Sequence, residues 1–382
     1  MDFSLSKKHL LLQDLFKKFT EIEIAPFAQE VDEEEIFPVE SAKKLGKYGF
    51  LGIPYSKEYG GAGADTLAYS MAVEELSKVC ATTGVIVSAH TSLCSAPIND
   101  SGSEYLKSKY LPKLNSGEWL GAFGLTEPGA GTDAAGQQTT AVLDADGKNY
   151  IINGTKIFIT NADAAHVYII IAMTDKTKGT RGMSAFVVEK DMPGFSVGKK
   201  EKKMGIRGSA TCELIMVDCI VPKENLLGKE GQGFKVAMKT LDGGRIGIAS
   251  QAVGIAQGAI DITVHYVKER KQFGKRISEF QNTQFELADM QTKVDAARLL
   301  TYRAAYHKDA GENYTSLAAM AKLFASEVSS DVTRRCLQLH GGYGYSREYA
   351  IERMMRDAKI TEIYEGTSEV QKMVIASNMK VN

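Results

Sequence analysis

Several large classes of protein are excluded by what this chain lacks. Its five cysteines, Cys80, Cys94, Cys212, Cys219 and Cys336, are scattered, and no CxxC pair occurs. That argues against a disulfide framework and for a reducing compartment. The six histidines are isolated, with no HExxH or HxxxH spacing, so no metal is expected. Lysine is not gathered beyond short runs such as Lys199-Lys200 and Lys202-Lys203, and the formal net charge is only −1, so the basic stripe of a nucleic-acid binder is missing. Charge runs such as Asp32 to Glu35 read as solvated faces. The longest apolar run, near Val167 to Met173, is far too short to span a bilayer and suits a buried strand; no membrane association is expected. The opening "MDFSLSKKHLLLQDL" is acidic at its second residue and has no small-residue cleavage site, so it reads as a first helix rather than a signal. A cytoplasmic location is expected, in a bacterial cytoplasm rather than a mitochondrial matrix.

What is present is an ordinary globular composition, 44% apolar over 382 residues, long enough for two or three lobes. The periodicity changes twice along the chain. Residues 1–120 read as helices: Leu11, Leu12, Leu15, Phe16, Phe19 and Ile22 form a helical stripe that Pro26 ends, "DTLAYSMAVEELSKVC" repeats that spacing, and "YSKEYGGAGAD" between them is a glycine-rich loop. Residues 121–231 turn to short β-branched and aromatic runs, "NYIINGTKIFITNA", "HVYIIIAMT", "MSAFVVEKD" and "CELIMVDCIVP", separated by turn-rich stretches; this is an antiparallel β domain. In residues 232–382 the helical period returns, with Leu317, Met320, Phe324, Val328, Val332 and Leu339 on one face and Gly341-Gly342 as the stop. The class is α+β, with a strand domain inserted between helical ones.

Five segments hold residues suited to chemistry. "GAFGLTEPGAGTDA", Gly121 to Ala134, lets the backbone approach a flat or anionic ligand, though it also reads as a plain glycine-rich turn and is not a dinucleotide fingerprint. "KIFITNA" ends a strand with Phe158, Ile159 and Thr160, able to press a ring face and offer one donor; core packing is the other reading. "ERKQFGKRISEFQ" sets Arg270, whose fork matches pyrophosphate oxygens, beside Gln272, Phe273 and Gln281; a salt-bridged helix end competes. "QLHGGYGYS" runs a helix into glycines at Gly341 and Gly342. In "ITEIYEGTSEV", Gly366 can adopt a left-handed stop, while Ser368 with Gln371 carries a capping-box signature for a new helix. Glu365 therefore sits on an elbow between two helices, able to aim one carboxylate into a cleft. A solvated glutamate before a helix-stop glycine is the alternative.

Together these segments resemble the acyl-CoA dehydrogenase family, and most closely its short-chain, butyryl-CoA-type members, over nearly the whole chain. "LTEPGAGTDA", "ERKQFGK", "QLHGGYGY" and "IYEGTSEVQ" occur in the family's order. The resemblance implies an N-terminal helical domain, a central antiparallel β-barrel-like domain and a C-terminal four-helix bundle, with FAD between them. It implies that the Phe123 to Thr132 stretch, including Leu125, Thr126 and Gly131, lines the flavin and acyl pocket, and that Phe158, Ile159 and Thr160 meet the flavin. Arg270, Gln272, Phe273, Phe280, Gln281, Gln338, Leu339, Gly341 and Gly342 would reach the FAD of a neighbouring subunit. That sharing implies a homotetramer built as a dimer of dimers. Thr132, Asp242, Arg245 and Gly366 would contact acyl-CoA, and Thr367, Ser368 and Glu369 the cofactor. Where many relatives carry tryptophan this chain has Phe158.

The implied reaction is α,β-dehydrogenation of a short acyl-CoA, or its reverse, with electrons exchanged with an electron-transfer flavoprotein. A carboxylate in water, with a pKa of about 4.3, is a feeble base for a carbon acid; burial raises it. Glu365 is the expected base, and its own backbone amide can donate to the thioester oxygen. Some branches carry the base on the helix holding "TLDGGRIGIA", but the equivalent place here is Gly244. An acyl-CoA oxidase or related flavin enzyme on the same fold is the nearer alternative, and a non-catalytic CoA- or flavin-binding scaffold the other.

Overall fold

The computed structural model describes residues 4–380. Seven helices come first: α1 (Lys7–Phe19), α2 (Ala28–Glu33), α3 (Val39–Lys47), α4 (Thr66–Ser77), α5 (Ala81–Ser88), α6 (Ala96–Ser101) and α7 (Glu104–Ser116). Side-chain oxygens of Ser6, Asp65 and Ser103 cap α1, α4 and α7, each accepting a backbone N–H of the first turn. The stripe of α1 is narrower than the spacing suggests. Phe16 and Phe19 are buried against Phe50, whereas Leu11, Leu15 and Ile22 face outward. Nor does Pro26 end the helical path. It lies in the short turn Ala25–Phe27 that joins a π-helical turn, Thr20–Ile24, to α2, because proline is tolerated where a first-turn N–H has no partner anyway.

The middle lobe contains β1 (Gly121–Gly124), β2 (Thr140–Leu143), β3 (Asn149–Ile159), β4 (Val167–Met173), β5 (Met183–Glu189), β6 (Phe195–Lys200), β7 (Cys212–Pro222) and β8 (Leu226–Leu227). They form one eight-stranded sheet in the order β6-β7-β3-β2-β4-β5-β8, with β1 beside β4. This corrects the expected antiparallel, barrel-like domain on two counts. The sheet is mixed: β1 and β2 both pair parallel with β4, Gly121 opposite Val167 and Thr140 opposite Met173. It is also not barrel-shaped. Its path ends at β6, whose last residues are Lys199 and Lys200, and at β8, only two residues long, and neither edge supports closure. The apolar run Val167–Met173 is buried along its whole length as β4, as its composition suggests.

The last lobe is a helix bundle: α8 (Gly233–Glu269), α9 (Gln281–Asp309), α10 (Thr315–His340), α11 (Ala350–Ile360) and α12 (Ser368–Asn378), with a small hairpin of β9 (Lys271–Gln272) and β10 (Lys275–Arg276) between α8 and α9. On α10 the buried face is lined mainly by small residues, Ala318, Ala321, Ala325, Val328, Val332 and Cys336, while Phe324 lies at the rim. Gly341 stops α10 as expected. Among the described residues no helix is long and apolar enough to cross a membrane.

The lobes share side chains at their joints. Leu93, Phe123, Leu125, Ile169, Val236 and Ala237 belong to one apolar cluster that draws on the first helical lobe, the sheet and α8. A second joint is ionic. Asp32 on α2 accepts from Arg207, which follows β6, and from Arg356 on α11. The run from Asp32 to Glu35 is therefore not simply a solvated face: Asp32 is buried, and Glu35 lies 3.5 Å from Arg207.

Candidate active site

The elbow ahead of α12 is built by two consecutive left-handed residues, Glu365 (φ 53°) and Gly366 (φ 92°). The glycine adopts this freely; the glutamate does so at a cost of about 1–2 kcal/mol. Three contacts hold it there. Lys322 Nζ donates to the Gly366 carbonyl at 2.6 Å, Gln371 Nε2 donates to the same oxygen at 2.8 Å, and Ser368 N–H donates to Glu362 O at 3.0 Å. The cap of α12 is Thr367, whose hydroxyl accepts from Val370 N–H, so Ser368 is not the capping residue and Gln371 turns back to the elbow instead.

The Glu365 side chain points at α8. A methyl placed on Gly244 would lie 2.0 Å from Glu365 Oε2 and 2.8 Å from Leu93 Cδ2, so only glycine leaves the carboxylate this room. Oε2 is buried and has no hydrogen-bond partner among the described residues. Burial pushes the Glu365 pKa up to about 7, with the charges of Lys322 and Arg245 pulling back. Its neighbours differ. Glu362 accepts from Lys359 at 2.5 Å, and the exposed Glu369 is held below the usual range, mainly by backbone and Thr367 hydrogen bonds in the first turn of α12. The amide N–H groups of Glu365 and Gly366 have no acceptor among the described residues.

Beside the elbow, Arg245 pairs with Asp242, and Asp242 accepts from Thr315 Oγ1 at 2.6 Å. Arg245 is buried, and its Nε has no partner among the described residues. One orphaned carboxylate oxygen and one orphaned guanidinium N–H thus lie near each other, an acceptor and a donor suited to a polar ligand. The structure brings Glu365, Gly366, Asp242 and Arg245, all singled out in the sequence, close together, and adds Lys322, Leu93 and Gln371 around them. The available signal for Lys322 was a lone lysine within the alanine-rich stretch "AAMAKLFAS".

The second group lies on the sheet. Phe123 and Leu125 are buried, Thr126 is half-buried, and Gly131 and Thr132 are exposed. The backbone ties this stretch to the end of β3, where Ile157 N–H donates to Thr126 O at 2.9 Å. Lys156, fully buried, locks the same junction through Leu125 O (3.0 Å), Glu127 (2.8 Å) and Gln137 (2.9 Å). Immediately after it, Phe158 takes φ 58° at an irregularity in the β3–β7 register and stands 61% exposed, while Ile159 turns inward and Thr160 is half-buried. A methyl on Gly129 or Gly131 would meet nothing within 4 Å. An exposed ring face beside open backbone fits a flat aromatic cofactor.

A third group lies apart. Arg270 stacks its guanidinium over Tyr343 at 5.1 Å, and Tyr266 donates to His340 O at 3.1 Å, drawing the end of α8 to the stop of α10. Phe273 is 94% exposed on the β9–β10 hairpin; Gln272, Gln281, Gln338, Gly341 and Gly342 are also exposed, and Phe280 and Leu339 partly so. No hydrogen bond, ion pair or ring contact among the described residues joins this patch to Glu365. A neighbouring groove of about 470 Å³ is lined by Tyr266, Arg270, His340 and Tyr349.

Comparison with known proteins agrees with this layout. The N-terminal, middle and C-terminal domain models of acyl-CoA dehydrogenase match residues 6–118, 122–219 and 231–380. The chain is 59% identical to a short-chain specific acyl-CoA dehydrogenase of Clostridium acetobutylicum over 99% of its own length and 100% of that protein. It is 53% identical to an acryloyl-CoA reductase (NADH) of Anaerotignum propionicum, over 98% and 95%. Butyryl-CoA dehydrogenase from Megasphaera elsdenii superposes with a TM-score of 0.98 at 51% identity, all of both chains covered. A chain described with the electron transferring flavoprotein of Acidaminococcus fermentans gives 0.98 at 54% identity, again with both chains fully covered. The FAD complex of PigA gives 0.95 at 32% over the whole of each. The fold and these matches define an acyl-CoA dehydrogenase-type oxidoreductase. The chain belongs to the acyl-CoA dehydrogenase family, on its short-chain branch.

Proposed function

We propose that the protein interconverts short saturated and α,β-unsaturated acyl-CoA thioesters, with Glu365 as the base for the α proton. The observation that carries this is the Glu365 carboxylate: its Oε2 is buried and unpartnered, and its pKa is pushed up to about 7 beside two cations. A carboxylate matched to neutral pH is suited to proton transfer from a weak carbon acid.

In the forward direction Glu365 takes the proton from the α carbon into its orphaned Oε2. The free N–H of Glu365, at the elbow, donates to the thioester oxygen as charge develops there. Arg245, Asp242, Thr132 and Gly366 contact the acyl-CoA. FAD, when bound, supplies the acceptor for the hydride leaving the β carbon. Phe123 to Thr132 and Phe158 to Thr160 would hold the flavin from the sheet side, with Thr367 and Glu369 at its other edge. The Arg270 patch, exposed within one chain, would hold the cofactor of a neighbouring copy, and the protein would assemble as a dimer of dimers. Electron-transfer flavoprotein is the electron partner. The likeness to an acryloyl-CoA reductase supports operation in the reducing direction as well.

Anaerobic bleaching of the bound flavin across a C4 to C12 acyl-CoA series tests the proposal. Butyryl-CoA should bleach fastest. Faster reduction by octanoyl-CoA overturns the short-chain assignment, absence of any bleaching supports the scaffold reading, and rapid reoxidation in air supports the oxidase.

A further inference from the structure

We propose that Lys322 is a positioning residue for Glu365: its ammonium pins the carbonyl behind the carboxylate and holds a fixed positive charge beside it, setting both the direction and the proton affinity of the base. The proposal rests on the reading of Glu365 as the base.

Lys322 is 0% exposed, with small residues around it on α10, Ala318, Ala319, Ala325 and Ser326. A buried ammonium is destabilising unless it is paired or coordinated. No carboxylate lies within ion-pair distance of it among the described residues, and Gly366 O is the acceptor of its hydrogen bond. Packing alone does not account for such a group. Its place does. Among small neighbouring side chains its long stem reaches the elbow, and the bond falls on the residue that follows Glu365.

Two donors then share the Gly366 carbonyl, one charged (Lys322, 2.6 Å) and one neutral (Gln371, 2.8 Å). With both in place the Glu365–Gly366 pair is held in its left-handed turn, and the side chain is aimed at Gly244.

The surrounding charges make Lys322 the controlling one. Glu365 faces Lys322 from α10 and Arg245 from α8, with the hydroxyls of Tyr69 on α4 and of Tyr364 nearby. Lys322 itself faces Glu365, Glu362 and Glu369, with Arg245 opposing. Arg245 is already paired with Asp242, so much of its field is neutralised locally. Lys322 has no such partner. Burial pulls its pKa down to about 8, with Glu365 the largest opposing influence, so at neutral pH it remains the cation that favours an ionised Glu365.

The test is an infrared titration of the Glu365 carboxyl band in the purified protein, assigned by difference against Glu365→Gln. The wild-type midpoint is expected near 7. Lys322→Met removes both tether and charge, and Lys322→Gln keeps a neutral donor while removing the charge. Both should raise the midpoint by about one unit, a tenfold change in proton affinity. Gln371→Leu removes the uncharged donor and should leave the midpoint in place, which a general loosening of the elbow would not. If Lys322→Met does not fold, Lys322→Gln decides. A rise of less than half a unit, or a fall, in the folded lysine variants overturns the proposal. No turnover enters this measurement. It therefore fails or holds separately from the base assignment, which the loss of flavin bleaching in Glu365→Gln decides.

Discussion

Gly244 and Glu365 face each other so closely that a single methyl on the glycine would stand 2.0 Å from the carboxylate oxygen. The obstacle is the end of a flexible side chain, so the protein can yield by moving Glu365. Gly244→Ala should therefore fold, losing about 1–3 kcal/mol of stability through crowding against Glu365 and Leu93. The larger loss should be in rate, on the order of 10²-fold, because the base is displaced from its proton. Thermal melting alongside stopped-flow reduction by butyryl-CoA separates the two effects. A variant with wild-type rate would mean that the carboxylate does not react from this position.

Asp32 joins three lobes through Arg207 and Arg356, with Arg356 Nη2 at 2.6 Å. Burial raises its pKa, but the hydrogen bonds and charges of the two arginines outweigh that and hold it below the usual carboxylate range. Asp32→Ala removes the shared partner of both arginines, though Arg356 keeps Glu352 and Arg207 keeps Glu35, and should cost about 1–3 kcal/mol. For a depressed carboxyl pKa the stabilisation is fully present above the unfolded value and is lost as pH falls through the folded one. The gap between wild type and variant in a denaturant titration should therefore be wide at pH 6–7 and close below the usual aspartate range.

Arg270 lies on an exposed patch in a single chain, over Tyr343. If that patch holds a neighbour's cofactor through its phosphates, Arg270→Ala should release FAD and loosen the oligomer together. Gel filtration with absorbance at the flavin band measures both. Full flavin occupancy in an intact oligomer would count against a shared site.

The elements that local pattern reveals are those whose cause is local. The Glu365–Gly366 elbow is readable because a left-handed stop and a restarting helix leave marks within ten residues, and Val167–Met173 reads as a buried strand from its own composition. The mixed pairing of the sheet leaves no such mark. Whether β1 lies parallel to β4 depends on the path of some forty intervening residues, while the alternation of each strand is the same either way. Asp32 misleads for a similar reason, since its arginine partners lie 175 and 324 residues further along the chain. Lys322 stands among alanines like any helix-surface lysine until the elbow, 44 residues on, is folded against it.

Ionising Glu365 should weaken the fold. Its pKa is raised to about 7 in the folded chain against an ordinary value of 4.5, so the native state holds the proton more tightly. Stability contributed by this group falls as pH rises from about 4.5 through 7. Glu365→Gln should accordingly stabilise the protein by about 2–3 kcal/mol at pH 8, and the advantage should vanish below pH 4.5. Melting temperatures of both proteins across that range test the sign.

The role of Glu365 as base is tested most directly by anaerobic stopped-flow reduction of the flavin by butyryl-CoA, comparing wild type with the glutamine variants of Glu362, Glu365 and Glu369. The wild-type rate should rise with pH through a midpoint near 7, where Glu365 ionises. Glu365→Gln should lower the rate by about 10²–10⁴-fold, towards the upper end for a carbon acid, with FAD content and CoA-ester binding retained. Glu362→Gln, which loses only the pair with Lys359, should react at close to the wild-type rate, and Glu369→Gln, which touches the flavin's edge but not the α proton, should lose far less than Glu365→Gln. Bleaching of the flavin in Glu365→Gln at near the wild-type rate would contradict the account.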